Sequence, residues 1–478
     1  MSDVREPGRI LLIACYELGH QPLTLAWPAA FLERAGYRPA TLDISVEGFD
    51  PERARRARLV AISVPMHTAL RLGVGVAARV REVNPAAHLC FFGLYAALNA
   101  EYLLAHGADT VLAGECEERL VELARSLERG ETPSEGAAGD RTPSATAGSG
   151  AGGVGRPAAT VLARLRFPVP SRTGLPPLWK YAHLERDGER HPAGYVEASR
   201  GCKHRCTHCP IPPVYDGRFF VVPPEVVVAD ARQLVAAGAR HITFGDPDFL
   251  NGPRHALAVA RALHAEFPGI TFDITTKVEH LVRHRDLLPE LGALGCLFVV
   301  SAVESLSDTV LTHLAKGHRR RDVTMALEAV RAAGIALRPT WVPFTPWAGL
   351  DDYREMLDFV EAEGLVDHVD PVQWGIRLLV PPGSLLARSP AMQPYLGPLV
   401  EADFSYRWVH PDPRMDGLQR EVAALVAEAA QRGEDPRQTF RRVQALADAA
   451  AGVRAARGDP RPLPDRARAP RLTEPWFC

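Results

Sequence analysis

The sequence predicts an α/β chain: an N-terminal doubly wound, Rossmann-like domain, a partial (β/α)6 barrel, and a helical C-terminal extension. Three observations carry this expectation. Short apolar runs alternate with stretches of helical period over residues 10–120 and again over 195–387, the pattern of parallel sheets covered on both faces. A segment rich in Gly, Ser, Thr, Pro and Ala, Gly130–Pro157, separates the two blocks. A tight cysteine trio follows the first strand of the second block, where barrel enzymes keep their chemistry.

Composition narrows the class. The chain has 478 residues, with 55 basic and 57 acidic side chains, so its formal net charge is −2. Hydrophobic residues make up 46% and charged residues 23%, ordinary for a soluble globular protein. The length suits two or three domains of roughly 150 residues. Near-neutral charge disfavours a general nucleic-acid or membrane-surface binder. No apolar run approaches the roughly 20 residues that span a bilayer. Met1–Arg9 is charged and has no apolar signal core, so the expected location is cytoplasmic.

In the first block, residues 1–130, the buried strands are Ile10–Cys15, Arg38–Ile44, Leu59–Val64, His88–Phe92 and Thr110–Ala113, with helices such as Leu23–Ala35 and Leu70–Val83 between them. No GxGxxG follows the first strand, so a dinucleotide fingerprint is absent. Residues 131–165 read as a disordered linker, too poor in apolar residues to offset ordering entropy. The connector and barrel occupy 166–387. Their expected strands are Tyr195–Ser199, His241–Gly245, Ile270–Thr275, Leu297–Val303, Ile335–Val342 and Val372–Leu379, and their helices include Pro224–Ala237, His255–Glu266, Val323–Ala333 and Asp351–Glu363. Residues 388–478 hold helices such as Leu418–Ala430 and Thr439–Ala456, then a flexible, polar, Pro-rich tail.

Three of the eight cysteines, Cys202, Cys206 and Cys209, form a CxxxCxxC run and the rest are scattered. In a cytosolic chain such a trio reads as a metal or redox site rather than a disulfide framework. Three thiolates can hold three irons of a four-iron cluster and leave one iron open. They can equally close a zinc site with His204 or His208 as fourth ligand. Spacing alone leaves both readings standing.

The trio and its surroundings resemble the radical S-adenosylmethionine (SAM) superfamily, in its cobalamin-binding branch. The flanks Ala198-Ser-Arg-Gly201 and Cys209-Pro-Ile211 belong to that likeness. So do Gly245-Asp-Pro-Asp-Phe249 at the end of the second strand, Ser301-Ala-Val-Glu-Ser305 on the fourth, Leu314-Ala-Lys-Gly317 after it and Gly334–Arg338 at the fifth. The resemblance implies a 4Fe-4S cluster on Cys202, Cys206 and Cys209, which are both its ligands and the catalytic set. It also implies contacts to SAM from Gly245, Asp246, Asp248, Ser301, Glu304 and Arg338. A histidine at His208, where many relatives carry an aromatic residue, is a mild departure.

The first block resembles the cobalamin-binding domains of the same branch, through Pro22–Gly36, Gly107-Ala-Asp109 and Ala113-Gly-Glu-Cys-Glu117. The Asp-x-His-x-x-Gly signature is missing, so the implied cobalamin has no histidine ligand below the metal. Expected contacts at strand ends are Tyr16, His20, Pro65, His67, Gly93 and Gly114. The substrate is a small molecule or peptide of unknown identity, and Glu304, Arg338, Trp341, Gln373 and Arg377 could face it or form structural ion pairs. Flavodoxin or ferredoxin is the implied electron donor. The rivals are a tRNA methylthiotransferase, which shares the barrel, and a zinc-stabilised, non-catalytic binding protein.

The ending, Arg471-Leu-Thr-Glu-Pro-Trp-Phe-Cys478, resembles the CUAEP/CCAEP-tail radical SAM proteins, whose chains close in Cys-Sec-Ala-Glu-Pro or Cys-Cys-Ala-Glu-Pro. The expectation is that a UGA codon follows Cys478, taken as a stop in this sequence instead of selenocysteine, with in-frame Ala-Glu-Pro after it. Sequencing the next codons checks it; a different codon, or no Ala-Glu-Pro after UGA, removes it.

Overall fold

The computed structural model describes residues 4–131, 160, 162–453 and 468–474. The chain divides into two compact units, one up to Lys180 and one from Tyr181 onward.

In the first unit the five expected strands form: β1 (Ile10–Ala14), β2 (Ala40–Asp43), β3 (Leu59–Ser63), β4 (His88–Phe92) and β5 (Thr110–Leu112). All pair in parallel, in the order β2-β1-β3-β4-β5. Ile10–Ile13 and Leu59–Ile62 are fully buried, because strands covered by helices on both faces are apolar throughout. The connections from β1 run first to one side and then to the other, so a crevice lies at the carboxyl ends of β1 and β3, the place where such sheets bind ligands.

The unit boundary falls at residue 180, not at 166. The connector packs on the first sheet's helices: the Phe167 ring meets Trp27 edge-on at 5.1 Å, and Arg172 donates to Gln21 at 2.7 Å. The Thr41 hydroxyl donates to the Gly174 carbonyl at 2.6 Å. Most of the expected linker, 132–159, lies outside the described residues.

The second unit opens with a hairpin absent from the sequence expectation, β6 (His183–Arg186) and β7 (Glu189–Val196). Asp187 and Gly188 turn it with φ of 52° and 80°, the left-handed pair of a type I′ turn. After β7 come β8 (Ser199–Gly201), β9 (Phe219–Val221), β10 (His241–Phe244), β11 (Thr271–Thr275), β12 (Cys296–Glu304) and β13 (Ala336–Trp341). β7, β10, β11, β12 and β13 pair in parallel as a curled half-barrel, with helices Pro224–Ala236, Pro253–Glu266, Arg320–Ala332 and Leu350–Ala362 between strands.

The sixth expected strand, Val372–Leu379, does not form. Pro371 begins a 3-10 helix, Pro371–Gly375, because its ring fixes φ and removes an N–H the ladder would need. A single parallel bridge, Phe344 to Arg377, is what remains of that pairing. The C-terminal extension adds a hairpin, β14 (Leu396–Val400) and β15 (Ser405–Trp408), before helices Pro413–Arg432 and Pro436–Ala450. The second helix ends earlier than expected, where Gly452 takes φ of 70°, a common C-terminal stop. The tail also differs from expectation: β16 (Arg471–Leu472) joins β6 antiparallel at the sheet edge, with Arg471 on Glu185 at 2.6 Å. Residues 475–478, including Cys478, lie outside the described residues. Among the described residues no helix is long and apolar enough to cross a membrane.

β8 and β9 pair antiparallel, Ser199 with Val221 and Gly201 with Phe219, and so clip together the two ends of the loop that carries the trio. Gly201 has φ of +73°, and a Cβ there would stand 2.5 Å from the Arg218 carbonyl and 2.6 Å from the Tyr215 ring. Gly334, at φ +70°, has open space around it. Gly201→Ala is therefore expected to cost well above the roughly 1–2 kcal/mol of left-handed strain that Gly334→Ala pays, read as the shift in urea midpoint. Equal losses would show that the clip tolerates the added methyl.

Candidate active site

The loop from Cys202 to Asp216 is anchored at both ends and in its middle. Thr207 donates its N–H to the Leu314 carbonyl at 3.1 Å and its hydroxyl to the His313 carbonyl at 2.8 Å. The Cys209 N–H closes a turn on the Cys206 carbonyl at 3.2 Å. Cys202 and Cys206 are buried, Cys209 is half-buried, and none is in a disulfide. Burial raises the Cys202 thiol, with Asp248 and Cys206 adding to the shift. Burial pushes the Cys209 thiol up to about 12, with Cys206 and Cys202 raising it further and Lys316 opposing. Burial thus disfavours the thiolate forms of Cys202 and Cys209, and the positive charge of a metal centre would favour them.

The Nε2 atom of each loop histidine is engaged away from the trio. His208 Nε2 faces Glu304 Oε1 at 3.2 Å, and His204 Nε2 faces His280 Nε2 at 3.2 Å. The donor set is three thiols, which fits a cluster with one open iron better than a closed four-ligand zinc site.

Around the loop stand the carboxyl ends of the strands. Gly245 follows β10, and a Cβ on it would lie 2.2 Å from the Tyr195 phenol, so only glycine lets that ring pack there. Asp246 is buried; its oxygens accept from the Ala198 N–H at 2.8 Å and the Ser199 hydroxyl at 2.5 Å. Burial pushes its carboxyl up to about 7, against those hydrogen bonds. Asp248 Oδ1 accepts from the Thr276 hydroxyl at 2.6 Å and the Leu250 N–H at 3.2 Å. Asn251 turns its carbonyl to the Cys202 sulfur at 3.9 Å and the Lys203 N–H at 3.3 Å.

Glu304 ends β12 after a register shift and holds φ of 65°, a strained state for a non-glycine residue. Its Oε1 receives Lys316 Nζ and His208 Nε2, each at 3.2 Å. Burial would raise the Glu304 carboxyl, but Lys316 and His208 outweigh it and hold it at about 2. Burial works to lower the Lys316 ammonium, but Glu304 and the thiols of Cys206 and Cys209 win and raise it. Lys316 sits in the turn after helix Asp308–His313, aimed by left-handed Ala315 and Gly317. The sequence reading included this turn in a motif without giving Lys316 a role.

The other expected residues separate. Ser301 is fully buried, on the opposite side of the pleat from Val300, which lines a small cavity with Phe298, Arg338, Thr340, Asp370 and Leu472. Arg338 pairs with Asp370 at 2.9 Å. In strand register it sits beside Val300, below the rim where Glu304 lies. Gln373 accepts from the Trp341 N–H at 3.0 Å. Arg377 pairs with Asp416 at 2.6 Å and lies on the Trp408 ring at 3.5 Å, fastening the C-terminal extension.

In the first unit Tyr16, His20, Pro65, His67, Gly93 and Gly114 all follow the carboxyl ends of strands. Gly93, at φ +108°, lets the chain pass the Val64 carbonyl, which a Cβ would meet at 3.1 Å. His67 begins a helix, Tyr16 and His20 are buried. Beside them Glu17 accepts from Thr24, whose hydroxyl oxygen in turn accepts from Ser63 at 2.7 Å. Burial pushes the Glu17 carboxyl up to about 8. No motif in the local sequence marks Glu17.

Residues 196–359 match the family described as the radical SAM superfamily, so the half-barrel is a radical SAM domain. Ribosomal protein uS12 methylthiotransferase RimO of Desulfosudis oleivorans is 30% identical over 181 residues, 35% of this chain and 40% of that protein. A tRNA-2-methylthio-N(6)-dimethylallyladenosine synthase of Novosphingobium aromaticivorans is 27% identical over 211 residues, 41% of this chain and 46% of that protein. The chain thus spans under half the length of these relatives. Among solved structures, the cobalamin-dependent SAM radical enzyme OxsB with aqua-cobalamin and SAM bound superposes with a TM-score of 0.68 at 14% identity, over 93% of this chain and 72% of that one. The radical SAM methyltransferase TsrM of Kitasatospora setae gives 0.55 at 18% identity, over 74% and 70%. These likenesses show a shared fold.

Lys316 and Glu304 are a buried pair. Lys316→Met is expected to cost about 3–5 kcal/mol, because it leaves a carboxylate buried without its cation. Lys316→Met with Glu304→Gln should cost less than Lys316→Met alone. Additive losses in urea unfolding would show that the two side chains act independently.

Proposed function

We propose that this chain is a radical SAM enzyme that cleaves SAM reductively at a 4Fe-4S cluster held by Cys202, Cys206 and Cys209. Cobalamin in the first unit would assist it in modifying a small molecule or peptide, by methyl transfer or rearrangement. The observation that carries this reading is the trio itself: three thiols on a clipped loop at the strand ends, free of disulfides, with the Nε2 of both loop histidines engaged elsewhere.

When bound, the cluster supplies one electron that breaks a carbon–sulfur bond of SAM and gives methionine and a 5′-deoxyadenosyl radical. The protein binds, orients and shields. Cys202, Cys206 and Cys209 would hold that cluster through three of its irons, which would leave one iron open to SAM. Lys316 is a buried cation beside Cys206 and Cys209, placed to balance the negative charge of thiolates and a carboxylate. The backbone of the Gly245–Asp248 turn borders the amino-group side, and Asp246 orients the strand that leads to the trio. Phe298, Arg338 and Leu472 line a small cavity in the lower barrel.

Cobalamin is assigned to the carboxyl ends of β1 and β3, the switch point of the first sheet. Tyr16, His20, His67, Gly93 and Gly114 are its proposed neighbours. A flavodoxin or ferredoxin is the proposed reductant. The likeness of the last residues to CUAEP/CCAEP-tail proteins supports placing the chain nearest that group. The methylthiotransferase alternative needs cysteines in the first unit gathered around a second cluster. Cys15 follows β1 and Cys90 lies within β4 with β3 between them, roughly two strand spacings of about 4.8 Å apart. Burial raises the Cys15 thiol to about 12, and Cys90 is fully buried.

Anaerobic protein reconstituted with iron, sulfide, SAM and hydroxocobalamin should release 5′-deoxyadenosine under a low-potential reductant and retain corrinoid through gel filtration. Cys206→Ala should abolish the 5′-deoxyadenosine. Retained cleavage in that variant, or a colourless protein with one zinc, would overturn the assignment.

A further inference from the structure

A second group of metal-type ligands stands beside the trio, and the function proposed above leaves its facing atoms unused. His204 of the cysteine loop, Asp248 after β10 and His280 on helix Val278–Arg283 each present a ligand atom, and these atoms all lie within 4.8 Å of one another. His204 Nε2 is 3.2 Å from His280 Nε2 and 3.7 Å from Asp248 Oδ2. Ligands about 2.0–2.1 Å from a tetrahedral zinc are roughly 3.3 Å apart, so His204 Nε2 is spaced from each of its two partners as ligands of a shared ion are.

The polar accounting points the same way. Asp248 is 0% exposed and His280 4%. Thr276 and Leu250 fill Asp248 Oδ1, which leaves Oδ2 buried with no hydrogen bond. His280 Nδ1 is 2.8 Å from that oxygen but also makes no hydrogen bond, so the contact lacks the alignment of one. A buried carboxylate oxygen and a buried imidazole nitrogen facing it without a well-formed bond are costly unless something joins them. The outer contacts fit as well. Ligating carboxylates are hydrogen-bonded through their other oxygen, and ligating histidines turn their second nitrogen to a carboxylate. Asp248 Oδ1 does the first, and His204 Nδ1, 3.6 Å from Glu279 Oε2, does the second.

We propose that His204, Asp248 and His280 bind one divalent transition-metal ion of the zinc class, distinct from the iron held by the cysteine trio. Two imidazoles and a carboxylate suit zinc, and three protein ligands leave a fourth position for water or substrate. The site stands apart from the cluster reading except that Asp248 Oδ2 goes to a metal and not to the amino group of SAM.

The full-length protein, reconstituted with its cluster, would be equilibrated with zinc sulfate, desalted, assayed for zinc and iron, and measured by zinc-edge X-ray absorption. One retained zinc per chain with a nitrogen/oxygen shell at about 2.0–2.1 Å and no sulfur shell near 2.3 Å is the expected result. His280→Ala and Asp248→Asn should lose that zinc and keep their iron. No retained zinc, zinc with only sulfur neighbours, or nitrogen/oxygen-bound zinc undiminished in folded His280→Ala would overturn the site. The wild-type spectrum decides even where a variant fails to fold. Iron content reads the cluster assignment separately: absent iron with nitrogen/oxygen-bound zinc would sink the cluster and leave this site standing.

Discussion

The buried carboxylate of Asp246 is the fastening on which the site geometry depends. It joins the end of β10 to the step between β7 and β8 through the Ala198 N–H and the Ser199 hydroxyl. Burial pushes its carboxyl up to about 7, because desolvation disfavours the charged form. In return the chain leaves β7 in one direction, takes the left-handed turn at Gly201 and enters the cysteine loop already clipped by β8 and β9. The thiols, the Glu304–Lys316 pair and Asp248 then gather at one rim, although they come from elements far apart in sequence.

That rim is built on strands whose own sequence is almost purely structural. His241, buried in β10, bonds Asp273 at 2.9 Å on the neighbouring strand, a polar pair inside the sheet. The floor is finished from outside the barrel sequence. β16 adds to β6, and the Pro470 carbonyl lies 3.5 Å from Arg338. Residues 470–472 are thus part of the barrel wall, and the C-terminal region shares a unit with the domain it follows.

Much of this was legible in the sequence, for physical reasons. Doubly covered parallel strands must be apolar on both faces, so β1, β3, β10, β11, β12 and β13 stand out as continuous runs. The trio declared itself by spacing. Pairings that depend on charge were hidden: β6 and β7 are rich in Glu, Arg and His, though Asp187-Gly188 was a turn signal in view. β16 is two residues long and its partner lies 286 positions away. Val372–Leu379 misled because an apolar run cannot show that Pro371 starts a tighter turn. In the site, Glu304 and Asp248 were marked by motif. His280 was not, since it meets His204 across 76 residues and nothing in its local sequence announces that contact.

The central claim is that three cysteines hold a cluster with one iron left for SAM. Mössbauer spectroscopy of the reconstituted, iron-57-labelled protein with and without SAM tests it most directly. The account predicts four irons per cluster, one of which changes its isomer shift when SAM is added while the other three stay unchanged. Four irons indifferent to SAM, or no cluster spectrum at all, would contradict it.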